Sequence, residues 1–322
     1  MHFLGIEIGG TKLQLGLGLG DGTLAGLWRG MVEVAAGPEG IRRQILMAVP
    51  ELLAQAGIDR SQVAGAGIGF GGPVDDATHT ILKSHQIAGW DRFPLADWIT
   101  NMLGWPAVLG NDADVAGLAE ALFGAGKGLS PVFYITIGSG IGGGLIIDGK
   151  IYRGCGKGAA EVGHLRVGQT TAGVLLRPLE ECASGWAIGE TARAEAAMGQ
   201  GGEKLLQLVD GQPERLTAWH VGQAAAQGDE LSLSLLLRTW NYLADAINQV
   251  LVLLCPRRII LGGGVSLMGE QIFLQPLRRL VAERAFAPFA DCYDLMPSAL
   301  GEEVVVHGAL ALARQAWGEK RP

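Results

Sequence analysis

The stretch Ile6-Glu7-Ile8-Gly9-Gly10-Thr11-Lys12 leaves an apolar strand pattern directly into a glycine turn, and Ile135-Thr136-Ile137-Gly138-Ser139-Gly140 repeats that outline. The second copy follows the first by roughly 130 residues, and recurrence at a fixed distance is the mark of a duplicated unit. Each copy continues into a second strand pattern and then an Asp-Gly pair, Asp21-Gly22 in one and Asp148-Gly149 in the other. Asp-Gly supplies the positive φ angles of a hairpin.

Working outward, Phe3 to Ile8, Leu13 to Leu19 and Leu24 to Val34 read as an antiparallel meander. A helix at Pro38 to Gln55, a buried strand at Val63 to Gly69, an amphipathic helix at Phe93 to Leu103, a strand ending near Leu109 and a helix running to about Phe123 follow. The second copy opens with strands at Val132 to Gly138 and Gly142 to Ile147. Later come a long helix at Leu231 to Leu254, a strand at Arg257 to Leu261 closed by Gly262-Gly263-Gly264, and a helix at Glu270 to Ala285. A strand near Val304 and a closing helix at Gly308 to Trp317 end the pattern, and Gly199 to Pro213 reads as a surface loop. A meander followed by alternating helices and strands, twice over, predicts an α/β protein with mixed sheets.

The 322 residues suffice for two cores. With 48% apolar and 18% charged residues and a formal net charge of −7, the chain reads as globular, and a general nucleic-acid-coating surface is not expected. Cys155, Cys182, Cys255 and Cys292 form no C-x-x-C pair, which argues against a disulfide framework and fits a reducing cytoplasm. The first residues show no signal-peptide pattern, and the apolar helix Leu231 to Leu254 carries Arg238 and Asp245, so neither export nor a membrane span is expected. That helix suits a homodimer contact or, more simply, a buried core.

Glycine after a strand lets successive backbone N–H groups close around an anion. Gly9-Gly10-Thr11-Lys12 adds a hydroxyl and a cation, Gly138-Ser139-Gly140 is a second such turn, and Gly262-Gly263-Gly264 a third. With 51 glycines in the chain a single run means little, but three turns that each leave a buried strand could clamp one nucleotide. Asn111-Asp112, at a strand–helix junction, reads as an N-cap or as the site of a general base for a hydroxyl nucleophile. Glu161-Val162-Gly163-His164 and Glu180 offer hydrogen-bonding groups for a polyhydroxyl ligand.

Glu7 to Lys12, Gly67-Ile68-Gly69-Phe70-Gly71-Gly72-Pro73-Val74-Asp75, Asn111 to Asp114, Gly138 to Gly144, Glu161 to His164, Ala183-Ser184-Gly185 and Leu261 to Val265 together resemble the ROK family of bacterial sugar kinases and sugar-responsive repressors. The resemblance covers nearly the whole chain. It implies a duplicated ribonuclease H-like fold of the actin-like ATPase type, with a small domain of residues 1–112 plus about 301–322, a large domain of 113–300, and an active-site cleft between them. It also implies an ATP-dependent hexose kinase, glucose being the first candidate substrate and fructose or an N-acetylhexosamine the alternatives. By position, Gly9, Gly10, Thr11, Lys12, Gly138, Ser139 and Gly140 match phosphate-binding segments, and Gly262, Gly263 and Gly264 the adenosine-side turn. Asp112 matches the catalytic base; Gly72, Asn111, Glu161, His164 and Glu180 match sugar-holding positions. Magnesium is expected with the phosphates, with Glu7 nearby, directly or through water.

Several positions depart from the family pattern. Glu7 stands where most relatives carry Asp and a fructokinase-like subgroup carries Glu. The segment Thr171 to Pro178 lacks the three cysteines that, with the histidine matched by His164, bind zinc in many relatives, so no zinc is expected and Val174-Leu175-Leu176 is read as apolar packing in its place. Ser139 replaces a usual Thr, and Gln86 a frequent Asn. A repressor is disfavoured because only about two residues precede the first strand, whereas family repressors carry a helix-turn-helix domain there. A catalytically weak sugar sensor is the remaining alternative of another class.

Overall fold

A computed structural model describes residues 1–84, 87–168, 176–199 and 201–318. The chain opens with strands β1 (His2–Ile8), β2 (Lys12–Gly18) and β3 (Gly26–Met31), paired antiparallel in sequence order. Helix α1 (Gly37–Ala56) follows; its buried Ile41, Ile45, Ala48, Val49 and Leu52 recur at helical spacing, and Gly57 in the left-handed region ends it. Strand β4 (Val63–Phe70), the short pair β5 (Val74–Asp75) and β6 (Thr80–Ile81), helix α2 (Leu95–Leu103), strand β7 (Ala107–Asn111) and helix α3 (Asp112–Leu122) come next. The first sheet has the order β3-β2-β1-β4-β7, with β1, β4 and β7 parallel.

The second copy begins with β8 (Val132–Ile137), β9 (Ile141–Ile147) and β10 (Lys150–Ile151), whose hairpin turn places Asp148 and Gly149 at positive φ. The short pair β11 (Arg166–Val167) and β12 (Arg177–Pro178) leads to helices α4 (Leu179–Ala183), α5 (Gly185–Ala197), α6 (Glu203–Gln207), α7 (Ala218–Ala226) and α8 (Glu230–Leu254). Strand β13 (Arg258–Gly262), helix α9 (Gln275–Arg284), strand β14 (Asp294–Pro297) and helix α10 (Val304–Trp317) complete the chain. The second sheet, β10-β9-β8-β13-β14, repeats the first one place for place: a three-strand meander, then two strands in parallel order. The duplication expected from the two glycine turns is thus a duplicated sheet.

Packing divides the chain into two compact units. One comprises Met1–Tyr134, Gly144–Ala159 and Ser298–Pro322, the other Ile135–Gly143 and Ala160–Pro297. Helix α3, which the expected border at residue 112 assigns to the second domain, falls in the first unit because α10 lies along it. A Cβ on Gly308 would stand 1.8 Å from the Val115 carbonyl oxygen, and one on Gly67 of β4 would stand 1.9 Å from that of Ala309. Backbone therefore meets backbone where α10 crosses both α3 and the sheet.

Two elements differ from expectation. The β-branched run Val304-Val305-Val306 reads as a strand, yet it forms the first turn of α10, where burial of all three side chains outweighs their local preference. The stretch Gly199 to Pro213 contains α6, anchored by buried Leu205. A further feature leaves no obvious signature in the sequence. Glu120 of α3 is 0% exposed, and its Oε1 accepts hydrogen bonds from Ser298 Oγ (2.6 Å), Ala299 N (2.8 Å) and Leu300 N (2.9 Å), while Oε2 accepts from Ala125 N (2.8 Å). It fastens the segment that leads into α10. No helix among the described residues is long and apolar enough to cross a membrane.

Candidate active site

In the first unit the register sets Ile8, Phe70 and Asn111 level on three parallel strands. The residues that follow them are Gly9-Gly10-Thr11, Gly71-Gly72 and Asp112, gathered at carboxyl strand ends, where open α/β sheets bind ligands. The Gly71 N–H donates to the Ile8 carbonyl at 2.9 Å. A Cβ on Gly71 would stand 3.4 Å from Asp112 Oδ2, so the carboxylate lies against bare backbone. The Gly9 N–H donates to the Lys12 carbonyl at 3.0 Å and closes the first glycine turn.

Asn111 caps α3: its Oδ1 accepts from Ala113 N (2.9 Å) and Asp114 N (3.4 Å), and its Nδ2 donates to the Gly72 carbonyl at 3.0 Å. An amide carries two N–H hydrogens, so one remains for a ligand after the Gly72 bond is made. The N-cap and ligand-contact readings are compatible. Asp112 opens the helix, with Oδ1 accepting from Ala113 N at 2.9 Å, and the positive end of α3 favours an anionic group there.

Beneath the turn lies Glu7, 5% exposed. Lys12 Nζ stands 3.2 Å from its Oε1, and Gln14 Nε2 donates to its Oε2 at 3.1 Å. Both cationic and amide donors also reach the Glu302 carbonyl, each at 3.2 Å, and Arg29 Nε donates to Gln14 Oε1 at 3.4 Å. Burial pushes the Glu7 carboxyl up to about 7; Lys12 opposes this, and the nearby carboxylates of Asp112 and Glu302 add to it. Asp112 and Glu302 act on Glu7 through charge, and no direct ligand set gathers among the described residues, so a divalent cation would have Glu7 alone as its nearest carboxylate. Because Lys12 and Gln14 already hold both Glu7 oxygens, the fit is to contact through water.

In the second unit the second and third glycine turns lie against one helix end. The Gly138 N–H donates to the Gly140 carbonyl at 2.9 Å. Ser184 caps α5 by accepting from Ala187 N at 3.1 Å, and the N–H groups of Gly185 and Trp186 donate to the carbonyls of Gly138 (2.7 Å) and Ser139 (3.4 Å). A Cβ on Gly185 would stand 2.7 Å from Gly138 O, which is why this position tolerates only hydrogen. Gly263 has φ +83°, and a Cβ there would stand 2.5 Å from the Ile137 carbonyl oxygen.

Glu180 Oε2 accepts from Ile141 N at 2.8 Å, so this candidate sugar-holding carboxylate braces the second glycine turn. Glu161 and His164 sit exposed on the short turn Val162–His164, joined by a bond from His164 N to the Glu161 carbonyl at 3.1 Å. Gln86 and the segment Thr171 to Leu175, including Val174 and Leu175, lie outside the described residues. Burial raises the Cys182 thiol, and no group of three or more His, Cys, Asp or Glu gathers among the described residues.

Sequence reasoning missed Gln14, Glu302, the bracing by Ser184 and Gly185, and the placement of Trp186. Gln14 carried a signal: a lone polar residue in the strand Leu13-Gln14-Leu15, directly opposite Glu7 in the antiparallel register. The Glu302 contact is made by a backbone carbonyl, which no residue type announces.

Comparison with known proteins places these residues in a family context. The family model described as ROK family matches residues 3–316. A glucokinase of Thermotoga maritima is 29% identical over 325 residues, covering 99% of each chain. A glucokinase of Streptomyces coelicolor is 32% identical, covering 97% of each. The solved structure of a ROK family glucokinase from Streptomyces griseus in complex with glucose and AMPPNP is similar with a TM-score of 0.81 at 32% identity, covering 98% of this chain and 100% of that one.

Proposed function

The chain belongs to the ROK family, and from that premise we propose that it is an ATP-dependent hexose kinase that phosphorylates glucose. The observation that carries the reading is the placement of Asp112 at the head of α3, against Gly71 and beside the first glycine turn. A sugar hydroxyl is a weak nucleophile, and phosphoryl transfer needs it held in line while its proton is accepted. In this reading Asp112 orients the hydroxyl and takes that proton, and the spare Asn111 amide hydrogen contacts the sugar.

Gly9 to Lys12 in the first unit and Gly138 to Gly140 in the second are the phosphate-binding segments, with Gly262 to Gly264 on the adenosine side. Glu161, His164 and Glu180 hold further sugar hydroxyls. Glu7 would hold a magnesium ion through water, and the ion, arriving with the triphosphate, would supply neutralisation of the developing charge. Glu7 itself supports fructose as the second substrate, since the fructokinase-like relatives carry Glu there.

The test is ADP release with Mg-ATP and a panel of glucose, fructose, mannose, N-acetylglucosamine and N-acetylmannosamine. Turnover on one hexose should fall about 100- to 10,000-fold in Asp112→Asn, the range for a lost general base, while ADP still binds. Absence of turnover on every sugar by protein that binds ADP would overturn the kinase reading in favour of a sensor.

A further inference from the structure

Resting on the kinase reading, we propose that Trp186 supplies the stacking face for the base of the nucleotide donor. The first turn of α5 is where the second and third glycine turns meet: a Cβ on Gly185 would stand 2.7 Å from Gly138 O and 3.4 Å from Val265 Cγ2. Both turns are open on one side, since a Cβ built on Gly138 or on Gly264 meets nothing within 4 Å. Trp186 is the next residue along the helix and is tied to the second turn by its own N–H, which donates to Ser139 O.

The core-facing side of α5 is formed by Ala187, Ile188, Ala192 and Ala196, all buried, whereas the Trp186 side chain is 56% exposed. Its indole is therefore surplus to the core. Single exposed apolar residues are ordinary on protein surfaces; what distinguishes this one is its attachment to a turn shaped for phosphate. A nucleotide gripped there by its phosphates carries its base one ribose away, at the distance of an exposed side chain whose own backbone is bonded to Ser139. Every base has a π face, so stacking on indole accepts any base and rewards the larger purines. The donor site thus selects purine over pyrimidine nucleotides and distinguishes adenine from guanine only weakly.

Calorimetric titration with ADP and with inorganic tripolyphosphate, on wild type, Trp186→Ala and Trp186→Phe, tests this. Trp186→Ala should weaken ADP about 10- to 100-fold, the worth of one stacked base, and Trp186→Phe should stay within about fivefold of wild type. Tripolyphosphate, which has no base, should bind all three alike. ADP affinity in Trp186→Ala within about twofold of wild type would overturn the proposal. So would an equal weakening of ADP and tripolyphosphate, which means the turn and not the base contact was lost. The titration needs no sugar, so a failure of sugar-dependent ADP release is read separately and bears on the kinase reading alone.

Discussion

The first and second glycine turns leave strands of the same rank in two sheets of the same order, yet they are held by different chemistry. The first rests on side chains: Lys12 and Gln14 each bond to the Glu7 carboxylate and to the Glu302 carbonyl. The second rests on backbone: helix N–H groups of Gly185 and Trp186, the close packing of Gly263 on Ile137, and a single carboxylate, Glu180. A duplicated backbone therefore does not imply duplicated support. Charge bracing responds to protons and cations, whereas backbone bracing responds only to shape.

The comparison breaks most sharply at its glycines. Gly263→Ala combines a backbone conformation reserved for glycine with a contact of 2.5 Å to Ile137. It should lower unfolding stability by about 2–5 kcal/mol, measured by denaturant titration. Gly9→Ala meets the Lys12 carbonyl oxygen at 3.3 Å and the Lys12 Cγ at 3.8 Å and should cost less than about 1 kcal/mol. Equal costs would mean that the two turns are held alike after all.

Protons probe the other side of the comparison. The folded Glu7 carboxyl titrates near 7, above the 4.5 of an unperturbed glutamate. The folded state therefore binds the extra proton between these values. The stability so contributed is complete below pH 4.5 and is lost as pH rises through 7. In the absence of divalent cations, stability relative to Glu7→Gln should fall by up to about 3 kcal/mol across that window. A flat difference would show that the charge network does not strain the turn.

Glu180 sharpens the contrast, since among the described residues it is the charged brace of the second turn. Removing the acceptor in Glu180→Ala leaves the Ile141 N–H without its partner and should raise the KM for ATP roughly tenfold, the worth of one such bond. Glu180→Gln keeps an acceptor oxygen and should recover most of that loss. A KM for ATP unchanged in both variants would confine Glu180 to the sugar. The smallest effect expected is that of a chelator: the lack of cysteines in Thr171 to Pro178 leads us to expect no structural zinc, so Tm should shift by less than about 1 °C, whereas a large loss would show that a structural metal is present.

Much of this architecture was legible in the sequence because glycine turns, apolar strands and Asp-Gly hairpins are local signals. The meanders, the helix Glu230–Leu254 and the capping Asn111 lie where periodicity and spacing put them. Val304 to Val306 defeated local reading because their helix is dictated by burial against another part of the chain. The braces of the two turns were hidden for a related reason: Glu302 contributes a carbonyl and Gly185 an absent side chain. Asn111 shows the limit from the other direction, since one amide serves as cap and leaves a hydrogen for a ligand, and residue type alone does not separate the roles.

The buried knot of Glu120 with Ser298, Ala299 and Leu300 also has a meaning in time. During synthesis the strands β1 to β7 emerge first, but the helix that covers β1 and β4 emerges after the whole second unit. Until then Gly5 and Gly67 face a vacant helix berth, and the first unit waits, incomplete, on the segment that follows the second unit. The second unit can mature in the interval, so the order of completion on the ribosome is expected to run opposite to the order of the units along the chain.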